Sequence, residues 1–234
     1  TSSAVTGSAE QDPTDWWAAA RQVCGELAAA GLADRVVALG VTGQMQDLVP
    51  VHAATPSTAA YATYPALLYS DTRASREHAV LVGELPGWED HTGNHQDASN
   101  VAAKISWLAV HEPARLNDAT HLLFGAHSYI AWRAAGATAE AALCDVVTAS
   151  TTGLLNVATR GWDAEVLEAA GARPDQLPRL TDLGTSTSAG HLDELSAREF
   201  AAGEDFLNDE RRGNRAEHDP ERDDHDAHGG LQRI

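Results

Sequence analysis

The sequence predicts an α/β fold. Two buried-looking apolar runs end abruptly in polar clusters, and helical periodicity fills the stretches between such runs. The first run, Val36-Val37-Ala38-Leu39-Gly40-Val41, closes in Thr42-Gly43 and passes into Gln44-Met45-Gln46-Asp47. The second, Pro65-Ala66-Leu67-Leu68-Tyr69, passes into Ser70-Asp71-Thr72-Arg73. Short apolar runs bounded by turn signals read as core strands, and polar groups just past strand ends are where open α/β sheets take ligands. Two such ends, close in sequence, predict one polar pocket.

Each element has a local reason. Asp12-Pro13-Thr14-Asp15 opens a helix, with Asp12 as cap, Pro13 at the first helical position and Asp15 at the positive end of the dipole. Trp16, Ala20, Val23 and Leu27 follow at helical spacing, and the helix stops near Gly31. Val36–Val41, Leu48–Val51 and Pro65–Tyr69 are predicted strands, with Ala53–Thr63 as a hairpin or surface loop. Residues 71–85 read as a helix and 86–100 as an irregular loop. A helix from about Val101 places Ile105, Leu108 and Ala109 on one face. Pro113 starts a short helix, His121–Phe124 is another buried strand, and a helix over 127–135 ends at Gly136. Residues 145–153 are a helix leading into a turn. Residues 162–170 form a short helix ending at Gly171, and an extended loop begins at Leu177-Pro178. Strands alternating with helices define the class.

Composition narrows the function. The chain has 234 residues, 43% of them hydrophobic, enough for a sizeable core. A formal charge of −18 repels nucleic acid and anionic membranes, so neither is expected as a partner. No apolar run reaches membrane-spanning length, and the first residues hold neither a basic region nor an apolar signal core, so a cytoplasmic setting is expected. The missing initiator Met suggests a start downstream of the true N-terminus. Cys24 and Cys144 have no framework or metal spacing and read as reduced, with Cys24 on an apolar helical face. Lys104 is the single lysine, read as a snorkelling surface residue or a structural ion-pair partner. Residues 204–234 hold ten acids and five arginines, a composition expected to be disordered. Their His218, His225 and His228 lack any rigid element to orient them as metal ligands.

Gln44, Gln46 and Asp47 offer amide and carboxylate partners for hydroxyls at a strand end, as a neutral polyol requires. A polar turn that only caps the strand is the plainer alternative. Asp71 suits either a helix cap or a pocket wall, and Arg73 is equally open.

In order along the chain, five stretches resemble the FGGY family of carbohydrate kinases, nearest its xylulose kinase branch. They are Gln11-Asp12-Pro13-Thr14-Asp15-Trp16-Trp17, Val41-Thr42-Gly43-Gln44-Met45 and Leu68-Tyr69-Ser70-Asp71-Thr72-Arg73. Lys104-Ile105-Ser106-Trp107-Leu108 with His111-Glu112-Pro113 is the fourth, and Thr148–Leu155 with Arg160-Gly161-Trp162 the fifth. The resemblance implies an actin-like, ribonuclease-H-like fold, here its N-terminal domain without the first strands. That domain would occupy residues 1–190, with 191–234 an acidic tail. It implies a small sugar as ligand and, in the complete protein, ATP with Mg2+. It implies an aspartate that deprotonates the sugar hydroxyl for attack on the γ-phosphate, with Met45 and Gln46 contacting the sugar and Ser99 and Asn100 on the pocket wall. The expected substrate-binding set is thus Gln44, Met45, Gln46, Asp71, Arg73, Ser99 and Asn100.

Many xylulose kinases carry His-Gly where this chain has Gln46-Asp47, which leaves the ketose open between D-xylulose and others. The Asp-x-Gly-Thr phosphate loop and the Gly-Gly-x-Asp loop of the family's catalytic base have no counterpart; Ala202-Gly203-Glu204-Asp205 is a superficial echo. No catalytic residue, no metal ligand and no bound cofactor are therefore expected in this chain, and no turnover from it alone. The bias after Ala202 suggests a shifted reading frame, and the missing hairpin an unpaired sheet edge prone to self-association. Rival readings are a non-catalytic sugar-binding or regulatory module, a kinase of ribulose, glycerol or gluconate, and an unrelated α/β binding domain.

Overall fold

The computed structural model describes residues 6–181, Asp34 by its backbone only, and beyond them His191, Leu192, Ala197 and Phe200. In chain order, β1 (Glu10–Gln11) leads into α1 (Pro13–Ala29), followed by β2 (Met45–His52), β3 (Tyr61–Ala62) and β4 (Ala66–Leu67). Helices α2 (Ser75–Glu84), α3 (Trp88–Thr92), α4 (Val101–His111) and α5 (Pro113–Asp118) precede β5 (His121–Gly125) and α6 (Ala126–Ala134). Then come β6 (Leu143–Asp145), α7 (Val146–Ser150), β7 (Leu155–Asn156), β8 (Gly161–Trp162), α8 (Ala164–Ala170) and β9 (Arg179–Thr181).

The central strand is β2, paired antiparallel with β4, β3 and β5, its Val51 lying between Ala62 of β3 and His121 of β5, while β1 extends the sheet beyond β4. Its apolar residues alternate between two cores. Leu48, with Leu67, Leu122 and Phe124, packs among Ile105 and Leu108 of α4. Val49 and Val51, with Ala66 and Leu123, pack among Trp17 of α1 and Tyr129 and Trp132 of α6. Helices cover both faces, which is why these strands read as continuous apolar runs rather than alternating ones. Burial on both sides also makes α4 apolar nearly all round: every residue from Val101 to Leu108 is buried. A separate parallel pair, β6 with β9, lies beside this sheet.

The structure corrects several expectations. Residues 36–41 form no strand, and Val36, Val37 and Leu39 are exposed, Val37 completely. A strand needs a neighbour for its N–H and C=O groups, and none among the described residues lies alongside this segment. On α1 the buried face is Pro13, Trp17, Arg21 and Gly25, whereas Val23 and Leu27 are exposed. Trp17 lies on that face with its ring packed on Phe200, while Trp16 beside it stays half-buried against Tyr129. The cap at Asp12 forms as expected, accepting from the Thr14 N–H at 2.9 Å. The predicted helix over 71–85 begins only at Ser75, and the irregular loop over 86–100 contains α3. The helix ends at Gly136 and Gly171 hold, with φ 90° and 80°. Lys104 is not a surface residue: it is fully buried. The tail histidines and Asp205 lie outside the described residues.

Asp71 caps no helix; it anchors the sheet edge. Its carboxylate accepts from Arg73 Nε at 3.0 Å and Nη2 at 2.6 Å, and from the Ala9 N–H at 2.6 Å. Arg73 Nη1 donates to Glu10 at 2.6 Å, and its guanidinium stacks 4.9 Å from the Trp107 ring. Burial alone would lower the Arg73 pKa, but Asp71 and Glu10 hold it above the ordinary value. Removing one partner leaves the other charge buried alone, so Arg73→Met is expected to cost about 3–5 kcal/mol in denaturant unfolding. An unchanged midpoint would refute this clamp.

Candidate functional site

At its first residues β2 leaves regular pairing. Met45 lies opposite Gly125, but Val49 lies opposite Leu123, so three residues, Gln46 to Leu48, face the single Phe124. Such a bulge bends a strand end and re-aims its side chains. Gln46 carries the distortion with φ 66°, a left-handed conformation that costs a non-glycine residue about 1 kcal/mol or more. Gln44 and Gln46 are half-buried and Met45 is 40% exposed, so these side chains border solvent.

Three groups hold the turn. Lys104 donates from Nζ to the Gln46 carbonyl at 2.8 Å. The Asp47 carboxylate, fully buried, accepts from the Tyr69 N–H at 2.8 Å. His127 Nδ1 lies 3.2 Å from the Gln44 carbonyl. Gly125 makes the last approach possible, since a Cβ at its φ of 129° would stand 2.5 Å from the Gln44 oxygen.

The electrostatics follow from burial. Burial pushes the Lys104 ammonium down to about 8, against the pull of Asp47, Asp71 and Asp97. Burial likewise raises the Asp47 carboxyl, although Tyr69, Gln44, Lys104 and Ala126 oppose it. Its Oδ2 has no partner of hydrogen-bonding geometry. The Asp97 carboxylate is held below the ordinary range: burial opposes this, and bonds from the Ser99 hydroxyl at 2.6 Å and N–H at 2.7 Å outweigh it.

The structure brings the expected residues together unequally. Gln44, Met45 and Gln46 form the half-open turn, with Lys104 behind it. Ser99 is half-buried, with its hydroxyl on Asp97. Asn100 is buried and spends its side chain on the Asp97 N–H and the Thr151 carbonyl. Asp71 and Arg73 spend theirs on each other, Ala9 and Glu10. Among Thr148–Thr152, the Thr148 hydroxyl lies 3.5 Å from His127 Nε2 and donates to the Asp145 carboxylate at 2.7 Å. Thr151 and Thr152 donate back to the carbonyls of Thr148 and Ala149. The sequence reading missed Gly125 and His127, and undervalued Lys104. A lone lysine inside an apolar helix was the one signal available.

Cys24 and Cys144 are free thiols, and burial raises both. Among the described residues, one group could hold a metal: His91, Asp163 and Glu165 place one ligating atom each within 4.8 Å of one another. Asp163 is already engaged there as the α8 cap, accepting from the N–H groups of Glu165 and Val166. A concave patch lined by Arg76, Glu77, Val80, Ser106 and Val110 contains none of the expected site residues. No helix of the described residues is long and apolar enough to cross a membrane.

A sheet covered on both faces by helices, with a bulged polar turn at the start of its central strand, defines a layered α/β domain. The comparisons make the class specific. Residues 1–201 match the family model described as the FGGY family of carbohydrate kinases, N-terminal domain. A xylulose kinase of Streptomyces rubiginosus is 33% identical over 181 residues, covering 75% of this chain and 34% of that protein. A glycerol kinase of Bradyrhizobium diazoefficiens is 32% identical over 185 residues, covering 76% and 36%. The crystal structure of a xylulose kinase from Rhodospirillum rubrum superposes with a TM-score of 0.71 at 26% identity, over 85% of this chain and 40% of that one.

The chain belongs to the FGGY family of carbohydrate kinases and carries the actin-like fold of its N-terminal domain. It spans about a third of the length of these curated relatives.

Two outcomes test the site's physics. With the folded Lys104 pKa near 8 and an unfolded value near 10.5, the unfolded chain binds more protons between those values. The stability of wild type minus that of Lys104→Met therefore rises with pH across this window, by on the order of 3 kcal/mol, and is flat below it. Denaturant titrations at pH 7 and pH 10.5 measure this, and a flat difference refutes it. Gly125→Ala is expected to lower stability by about 1–3 kcal/mol, through the left-handed φ and the clash with Gln44. A melting temperature equal to wild type would show that the approach is not tight.

Proposed function

We propose that this chain is the sugar-binding part of an ATP-dependent carbohydrate kinase whose acceptor is a ketopentose such as D-xylulose. Gln44, Met45, Gln46 and Ser99 contact the sugar, while Asp71, Arg73 and Asn100 hold the wall behind them. The observation that carries this is the half-buried Gln44–Asp47 turn. An amide offers donor and acceptor together, which matches a hydroxyl that must both give and receive a hydrogen bond. The thioether and methylenes of Met45 offer an apolar surface to the sugar's C–H face.

Identities to xylulose and glycerol kinases are nearly equal, 33% and 32%, so the choice of ketopentose rests on the xylulose-type motifs at residues 104–113 and 148–162, the turn itself departing from that branch at Gln46-Asp47. In the complete protein an aspartate takes the proton from the sugar hydroxyl, and phosphoryl transfer depends on positioning and charge neutralisation. ATP and Mg2+ supply the phosphoryl group and that neutralisation. The described residues do not fit them: the one candidate metal group includes the His91 imidazole, a ligand ill suited to Mg2+, its Asp163 already accepts from the N–H groups of Glu165 and Val166, and the Lys104 ammonium is committed to Gln46. The contribution of this domain is to bind and orient the acceptor.

Calorimetry with D-xylulose, D-ribulose, glycerol and gluconate tests the reading. Saturable binding of a ketopentose is expected, weakened about tenfold in Gln46→Ala through loss of one hydrogen-bonded contact. Equal binding by Gln46→Ala, or tighter binding of glycerol or gluconate, would overturn the assignment.

A further inference from the structure

The one lysine of the chain is buried beside the one left-handed residue of the turn, and the two are joined by a single bond. Gln46 is left-handed at φ 66°, three β2 residues crowd opposite Phe124, and the displaced Gln46 carbonyl meets Lys104 Nζ at 2.8 Å. Lys104 sits on α4, a helix buried along eight successive positions and fixed to the sheet by Ile105 and Leu108. A donor on such a scaffold is placed by the core. We propose that Lys104 is the positioning residue of the sugar-reading turn: by holding the Gln46 carbonyl it keeps Gln46 left-handed and sets where the Gln46 amide stands.

A carbonyl turned out of the sheet ladder and facing the interior costs free energy unless something donates to it. Without Lys104, Gln46 gains nothing from its strained conformation and relaxes toward regular pairing. One face-flip of its side chain then follows, because a one-residue shift in a strand reverses which side a residue faces. The charged groups around the ammonium are Asp47 on β2, Asp71 and Arg73 ahead of α2, and Asp97 ahead of α4. They make a plainer role conceivable, in which the cation only neutralises buried acids and leaves the backbone alone.

A double-mutant cycle separates the two. Lys104→Met, Gln46→Gly and the double variant are compared in denaturant unfolding. Glycine adopts the left-handed conformation without strain. If Lys104 holds Gln46 in place, Gln46 sheds its strain once Lys104 is lost whereas a glycine has none to shed, so Lys104→Met lowers the folding constant less in wild type than in the glycine background, by about fivefold. Equal costs in the two backgrounds overturn the inference. If Lys104→Met does not fold in buffer, the same cycle is run in sucrose, which strengthens burial in every variant alike, and equal costs there overturn the inference.

The sugar arm of the test rests on the proposed function. Folded Lys104→Met is expected to bind D-xylulose at least tenfold more weakly, and wild-type affinity in that variant overturns the positioning role. Wild-type protein that binds no ketopentose refutes the proposed function instead, while the unfolding cycle still decides the role of Lys104.

Discussion

The start of β2 leaves the sheet ladder with its backbone turned against the core, and that constraint shapes what surrounds it. Both faces of the strand are covered, one by α4 and its neighbours, the other by α1 and α6. Any backbone group that leaves the ladder there must find a donor or acceptor supplied by the fold. Lys104 supplies one for Gln46, and Asp47 reaches the Tyr69 N–H in the same way. A buried ammonium and a buried carboxylate are each costly alone. Placed at one strand end, each lowers the cost of the other, as the opposing pulls on their pKa values show.

The Asp71–Arg73–Glu10 clamp solves a related problem at the sheet edge. β1 and β4 are two residues each, too short to hold a sheet by ladder bonds alone. A carboxylate that takes both a guanidinium and the Ala9 N–H ties this edge to the loop before α2. Trp107 then covers the guanidinium from α4. The same helix therefore backs both the polar turn and the edge clamp, which gives α4 a structural reason to be apolar on all sides and yet contain a lysine.

Much of the fold was legible because its signals are local. Pro13 after Asp12, Pro113 after Glu112, and Gly171 at a left-handed end each act within one turn of helix. The cores of β2, β4 and β5 were visible as apolar runs, since a strand buried on both faces needs no polar alternation. The turn at Gln44–Gln46 was legible too, as a polar break after small residues. Its supports were not: Gly125 and His127 are some eighty residues away in sequence and carry no motif that links them to Gln44.

The sequence by itself determined where most of the helices lie, that the runs of β2, β4 and β5 belong to the core, and the family to which the chain belongs. These depend on spacing over a few residues and on the order of motifs. Tertiary structure alone decided that Val36–Val41 is not a strand, that α1 buries Trp17 rather than Val23, and that Asp71 and Arg73 clamp an edge. It alone placed Lys104 inside. Backbone pairing and the burial of a charge are settled by a partner distant in sequence, and no local pattern names that partner.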